Sequence, residues 1–269
     1  MLWEELTAKG LDSAIKKSEG VCVLPIGVLE KHGDHLPLGT DMYIATETAK
    51  AAVAKSPAVI FPYYFLGQIL EARHVTGTIA ASHKLIIDAL LEMCDEIHRN
   101  GFSKILIVSS HGGNVHLLRY FAQLFPGLNR PYSVYTSFLH DLTQAQFKKI
   151  RTECNIDDVG GHAGFYETAL MMFIRPDLVN MDKVIVKESE SLNRIPQVND
   201  ERIYTGFHWY ADYPHHFAGD PTGATVEYGK KLFDILQQRI VKMIKTVKAD
   251  TMTPSLINEY NSRTSNPRG

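Results

Sequence analysis

Lys104-Ile-Leu-Ile-Val-Ser-Ser-His-Gly-Gly-Asn114 is a short apolar run that stops abruptly at polar residues and a glycine pair. An unbroken apolar run of this length reads as a strand buried on both faces, as parallel sheets require. Upstream, residues 83–99 carry Ile86, Ala89, Leu90, Met93 and Ile97 at helical spacing. Ser82 is placed to cap that helix, and Gly101 to end it in a left-handed turn. Downstream, residues 115–124 read as a helix with Asn114 as its cap. Further out, residues 21–26, 58–61, 132–136 and 183–187 read as strands, and 40–54 as a helix capped by Thr40. A last long helix, about 224–247, carries Leu232, Ile235, Leu236, Ile240, Met243, Ile244 and Val247 at helical spacing. Alternating strands and helices predict an α/β fold with a mainly parallel sheet covered on both sides.

At 269 residues the chain can bury a full core. One domain over residues 1–250 is expected, followed by a polar tail, 251–269. Residues 188–223, rich in Pro, Asn, Asp, His and aromatics, read as a long functional loop region. The net charge of −2 gives no electrostatic reason to expect nucleic acid or an anionic membrane as partner. No apolar run approaches the ~20 residues of a membrane-spanning helix. Cys22, Cys94 and Cys154 are sparse, odd in number and form no C-x-x-C pair, which points to buried thiols in a reducing compartment. A cytoplasmic location is the expectation.

Three stretches concentrate metal-ligand chemistry. Leu24-Pro-Ile-Gly-Val-Leu-Glu-Lys-His-Gly-Asp-His-Leu-Pro-Leu-Gly-Thr-Asp41 offers Glu30, His32, His35 and Asp41. Ser109-Ser-His-Gly-Gly-Asn114 offers His111, and Gly160-Gly-His-Ala-Gly-Phe-Tyr-Glu167 offers His162 and Glu167. Carboxylates and imidazoles without thiolates suit Zn²⁺, Mn²⁺ or Fe²⁺. In open parallel sheets, ligands bind beyond the carboxyl ends of strands, where Glu30 and His111 fall. A carboxylate can bridge two ions. The expected sets are Glu30, Asp41 and His111 on one ion, and His32, Asp41 and Glu167 on the other. His35 reads as a hydrogen-bonding neighbour rather than a ligand. This constellation points to a hydrolytic enzyme with two divalent ions per chain.

The same residues resemble the creatininase (creatinine amidohydrolase) family. Residues 25–41 are similar to its P-x-G-x-x-E-Q-H-G-x-H-L-P-x-x-T-D block, and 101–114 to its G-F-x-x-I-x-x-x-N-G-H-G-G-N block. Residues 162–168 resemble H-A-G-x-x-E-T, and 219–225 resemble G-D-P-x-x-A-T. His74-Val-Thr-Gly-Thr-Ile79 resembles a shortened H-x-x-F-P-G-T. The resemblance implies a three-layer α/β/α sandwich, a binuclear metal site and hydrolysis of non-peptide C–N bonds in a small molecule. It also implies a homo-oligomer, often a hexamer. Creatininase proper has His-Tyr-Glu where this chain has His111-Gly112-Gly113, so Glu167 would complete the second ion's set.

The mechanism expected is attack of a metal-activated water on a cyclic amide or formamide. His162 is the candidate to carry the proton to the leaving nitrogen. His74, Gly112, Gly113 and Asn114 are the candidates to bind substrate. Two other readings share these ligands: a binuclear phosphoester hydrolase, and a non-catalytic metal-binding member of the family. No Gly-rich phosphate loop or arginine cluster accompanies the ligands.

Overall fold

The computed structural model describes residues 1–154 and 161–267. In chain order the main elements are α1 (Ala8–Lys17), β1 (Val21–Ile26), α2 (Thr40–Val53), β2 (Val59–Ile60), α3 (His83–Arg99), β3 (Lys104–Ser109), α4 (Asn114–Leu124) and β4 (Ser133–Phe138). They are followed by α5 (Gln144–Cys154), α6 (Phe165–Ile174), α7 (Pro196–Asp200), α8 (His208–Asp212), α9 (Val226–Ala249) and α10 (Met252–Ser265).

The four strands form one parallel sheet in the order β2-β1-β3-β4. Alternation along each strand divides the core in two. Val21 and Val23 of β1 and Leu106 and Val108 of β3 face one side, under α2, α6 and α9. Cys22, Leu24 and Ile26 with Ile105 and Ile107 face the other, under α3 and α4. The expected helix–sheet–helix layering is present. Ser82 caps α3 by accepting from the Leu85 N–H, and Gly101 takes φ +106 just after it. Cys22 and Cys94 are free and buried; the Cys154 side chain lies outside the described set.

Register places the site. Ile26 pairs with Ser109 and Ser109 with Phe138, so three strands end level with one another. The chain leaves β1 toward β2 on one side and returns to β3 on the other. That reversal opens a crevice between β1 and β3 at their carboxyl ends.

Several local expectations fail for tertiary reasons. Residues 183–187 form no strand: they fall in 3₁₀ turns, Met181–Lys183 and Val186–Ser189, with Ile185 and Val186 exposed. The β-branched run has no sheet edge to join. Thr40 lies inside α2, and its hydroxyl donates to Pro37 O rather than capping. Asn114 does not cap α4, because its amide is engaged elsewhere. The polar segment after Asp250 is helical: Asp250 accepts from the Met252 and Thr253 N–H groups and from the Tyr135 hydroxyl at the start of α10.

Candidate metal centre

β1 ends at Ile26, and Gly27 follows in contact with the first turn of α2. A Cβ on Gly27 would lie 2.5 Å from Met42 N and 2.7 Å from the Asp41 carbonyl carbon. Only glycine permits this approach, which sets Asp41 beside the strand end. Ser110 Oγ, just past β3, donates to Asp41 O at 2.5 Å and ties the same turn to the second strand. Ser109 Oγ accepts from the His111 N–H and shapes the turn that carries His111.

Six side chains then converge. Ligand atoms of Glu30, Asp41 and His111 lie within 4.8 Å of one another, and so do those of His32, Asp41 and Glu167. A third group, Glu30, His32 and His162, meets the same limit. Asp41 belongs to both expected sets. Glu30 and His32 are wholly buried, and Asp41 nearly so. Burying charges without partners costs several kcal/mol each, so the cluster needs compensation.

The imidazoles are aimed by backbone carbonyls. His32 Nδ1 lies 3.2 Å from Glu30 O, where only a protonated nitrogen can bond. Its Nε2 faces Asp41 Oδ1 at 3.5 Å and Glu167 Oε2 at 3.8 Å. His111 Nε2 lies 2.7 Å from Gln68 O, so Nδ1 faces Glu30 Oε1 at 2.7 Å and Asp41 Oδ2 at 3.1 Å. Orientation of one ring nitrogen by a carbonyl is how metal-binding histidines are usually held. Among the described residues, Glu30 Oε1, His32 Nε2 and Asp41 Oδ2 are buried without a hydrogen-bond partner. Orphaned acceptors of this kind, pointing at one another, fit a divalent cation.

The electrostatics agree. Burial disfavours charge on His32, yet Asp41, Glu167 and Glu30 outweigh it and lift its pKa to about 10. His111 is likewise buried and is raised well above its ordinary value by Glu30 and Asp41. Glu30, although buried, is held well below the usual carboxylate range by His111 and His162. Glu167 moves the other way, to about 7, because burial and then Asp41 and Glu30 oppose its charge more than His32 supports it. Without metal, the protons on His32 and His111 offset the charges of Glu30 and Asp41, while burial and its carboxylate neighbours oppose charge on Glu167. Divalent ions would replace those protons.

Glu167 reaches the site from the first turn of α6, its Oε2 accepting from the Ala163 N–H at 2.6 Å. Ala163 adopts φ +58, a strained value for alanine worth about 1–3 kcal/mol, and that turn aims the N–H. Gly113 stands where the resemblance to creatininase proper leads one to expect a glutamate. A Cβ there would lie 2.5 Å from His111 Nε2 and 2.6 Å from Gln68 O. The Gln68–His111 contact therefore leaves no room for a side chain at 113.

His162 Nε2 lies 2.6 Å from Lys31 O and must carry the ring proton, which leaves Nδ1 as acceptor. Burial, then the charge on His32, holds its pKa down at about 3. A cavity of about 1400 Å³ opens over the cluster; His74, Gly112, Gly113 and His162 line it. Asn114 does not: it is fully buried, accepting from Gln68 N and donating to Ser109 Oγ, and so supports the turn instead of touching substrate. His35 Nε2 meets Thr168 Oγ1 at 3.0 Å, tying the first motif to α6. Several cavity-lining histidines went unread in the sequence, among them His140 after β4 and His216 near the last motif.

The family model for creatininase, described as creatinine amidohydrolase, matches residues 4–244. The chain is 26% identical over 235 residues to a mycofactocin precursor peptide peptidase of Mycolicibacterium smegmatis, covering 85% of each. It is 24% identical over 195 residues to the creatinine amidohydrolase of Pseudomonas putida, covering 67% of this chain and 74% of that one. Its fold is similar to that of a mutant creatininase of Zn–Zn type, with a TM-score of 0.76 at 21% identity, over 93% of this chain and 98% of that one. With its buried cluster of carboxylates and imidazoles and a match over nearly its whole length, the chain belongs to the creatininase family, whose members are metal-dependent hydrolases of C–N bonds.

Proposed function

We propose that this protein hydrolyses a non-peptide C–N bond, in a cyclic amide or formamide, at a centre of two divalent ions. The observation that carries this reading is the pair of buried triads sharing Asp41. Glu30, Asp41 and His111 Nδ1 would hold one ion; His32 Nε2, Asp41 and Glu167 would hold the other. Zn²⁺, Mn²⁺ and Fe²⁺ all suit this donor set. When bound, such ions supply an acidified water and polarise the scissile carbonyl.

The protein's own groups do the rest. His162, neutral and fixed through Nε2 by Lys31 O, offers Nδ1 to take a proton and pass it to the leaving nitrogen. The walls at Gly112, Gly113 and His74 border the space where substrate would sit. His74 is itself held by Pro214 O at 2.8 Å, which sets its ring at the rim. A homo-oligomer and a reducing, cytoplasmic setting go with this reading; the free buried thiols of Cys22 and Cys94 are compatible with it. Among the described residues no helix is long and apolar enough to cross a membrane.

The test is a panel of lactams, hydantoins, formamides and phosphoesters assayed with Zn²⁺, Mn²⁺ and Fe²⁺ in turn. Metal-dependent turnover confined to the amides supports the proposal. Turnover of phosphoesters alone, or of nothing on the panel, contradicts it.

A further inference from the structure

His216 lies outside every ligand set above, yet it touches Glu30 more closely than any other side chain does. It is 2% exposed and sits four residues past the end of α8. Its backbone takes φ +53, so the chain accepts local strain to put the ring where it is. On one side, Trp209 Nε1 meets His216 Nδ1 at 3.0 Å. On the other, His216 Nε2 meets Glu30 Oε2 at 2.5 Å.

Donor chemistry settles the tautomer. An indole N–H can only donate. It therefore needs a lone pair on Nδ1, and His216 must be the neutral form with its proton on Nε2. That proton is donated to Glu30 Oε2. Both ring nitrogens are then used, and His216 has no lone pair left for a metal. Glu30 is left with Oε1, which faces His111 Nδ1 at 2.7 Å.

From this geometry we infer that Trp209 and His216 form a positioning relay that presents Glu30 to the first ion through Oε1 alone. The inference rests on the metal reading above and deepens it. The relay is built from the cavity wall, since Trp209 and His216 both line the cavity, and Trp209 stands edge-on to His162 at 6.1 Å. A paired bridge anchors its far end: His162 N donates to Ala218 O at 2.6 Å, and Ala218 N to His162 O at 3.0 Å. The ligand from β1, the proton-transfer histidine and the cavity's tryptophan are thereby held in one connected frame.

Two measurements test the relay. Long-range ¹H–¹⁵N correlation spectra of the metal-free protein read the His216 tautomer directly. A proton on Nε2 and a bare Nδ1 are expected; in Trp209→Phe, which keeps a ring but removes the N–H, the Nδ1 resonance should shift as its donor is lost while Nε2 keeps the proton it gives to Glu30. The second measurement is Zn²⁺ affinity by chelator competition. His216→Ala should weaken binding of the first ion by about 10–100-fold, the usual cost of losing a group that orients a ligand. His216→Gln, whose amide can still donate to Oε2, should recover most of that loss, and Trp209→Phe should fall between Gln and Ala. A His216 protonated on Nδ1 in the wild type overturns the relay whatever the metal content. So does wild-type Zn²⁺ affinity in folded His216→Ala, or in Trp209→Phe if the alanine variant does not fold. A wild type that binds no Zn²⁺ contradicts the metal reading instead, and the tautomer still decides the relay.

Discussion

Glu30 and His216 lie in contact, but the regions that deliver them are built in opposite ways. Glu30 follows a buried strand whose every residue is packed, at a strand end level with two neighbours. His216 comes from residues 188–223, where short helices α7 and α8 alternate with irregular backbone and Tyr204 and Phe207 are 74% exposed. The strand ends carry Glu30 and His111 at positions that the sheet register dictates. The loop region packs His216 against Glu30 and walls the cavity, at positions that only long-range contacts dictate. Chemistry is placed by the regular part of the fold, and its surroundings by the irregular part.

The strongest way to break this division is Asp41→Ala. Asp41 is the carboxylate shared by both triads, so elemental analysis should find both ions lost and activity at background. Retention of one full ion would mean that the triads are independent.

His162→Asn sharpens the boundary between holding metal and moving protons. With a substrate from the panel, kcat should fall by about 10²–10⁴-fold, the usual contribution of a general acid–base group. Metal content should not change. If metal is lost, His162 moves into the ligand set, which the third triad would allow.

Proton release on metal loading has a definite sign. His32 is held at about 10 in the metal-free protein, so at neutral pH it is protonated and must give up that proton to bind an ion. Affinity should therefore rise with pH from neutrality to about 10, by about tenfold per pH unit for each proton displaced. Calorimetry in buffers of different ionisation enthalpy measures the count. Zero protons released at neutral pH would contradict the charge balance derived for the cluster.

Asn114→Ala has the smallest expected effect on catalysis. It leaves the partly buried Gln68 N–H without its acceptor and removes one of the donors to Ser109 Oγ, at a cost of about 1–3 kcal/mol. Each kcal/mol corresponds to a Tm drop of about 2–4 °C in a domain of this size class. KM should stay near the wild-type value, since the side chain does not reach the cavity.

What the sequence made legible follows the same division. β1 and β3 were readable because strands buried on both faces are continuous apolar runs. Glu30, Asp41, His111 and Glu167, the proposed ligands, were readable as candidates because polar residues able to bind metal cluster just past such runs or beside glycines. The caps assigned to Thr40 and Asn114 were misread: both residue types favour caps, but Pro37 O and Gln68 N offered better partners that local pattern does not reveal. Residues 183–187 had strand composition but no neighbouring strand to pair with. His216 was unreadable for a different reason: its partner Glu30 lies 186 positions away, and its own segment carries no periodic signal. The pointers to it were indirect: the His- and aromatic-rich composition of residues 188–223 and the nearby Gly219-Asp-Pro-Thr motif.

The central claim, two ions held between the strand ends and bridged by Asp41, is tested most directly by anomalous diffraction from Zn²⁺-loaded crystals. Two peaks are expected, with Asp41 between them. Glu30 Oε1 and His111 Nδ1 should contact one peak, and His32 Nε2 and Glu167 the other. A single peak, or two peaks of which Asp41 touches only one, would contradict the account.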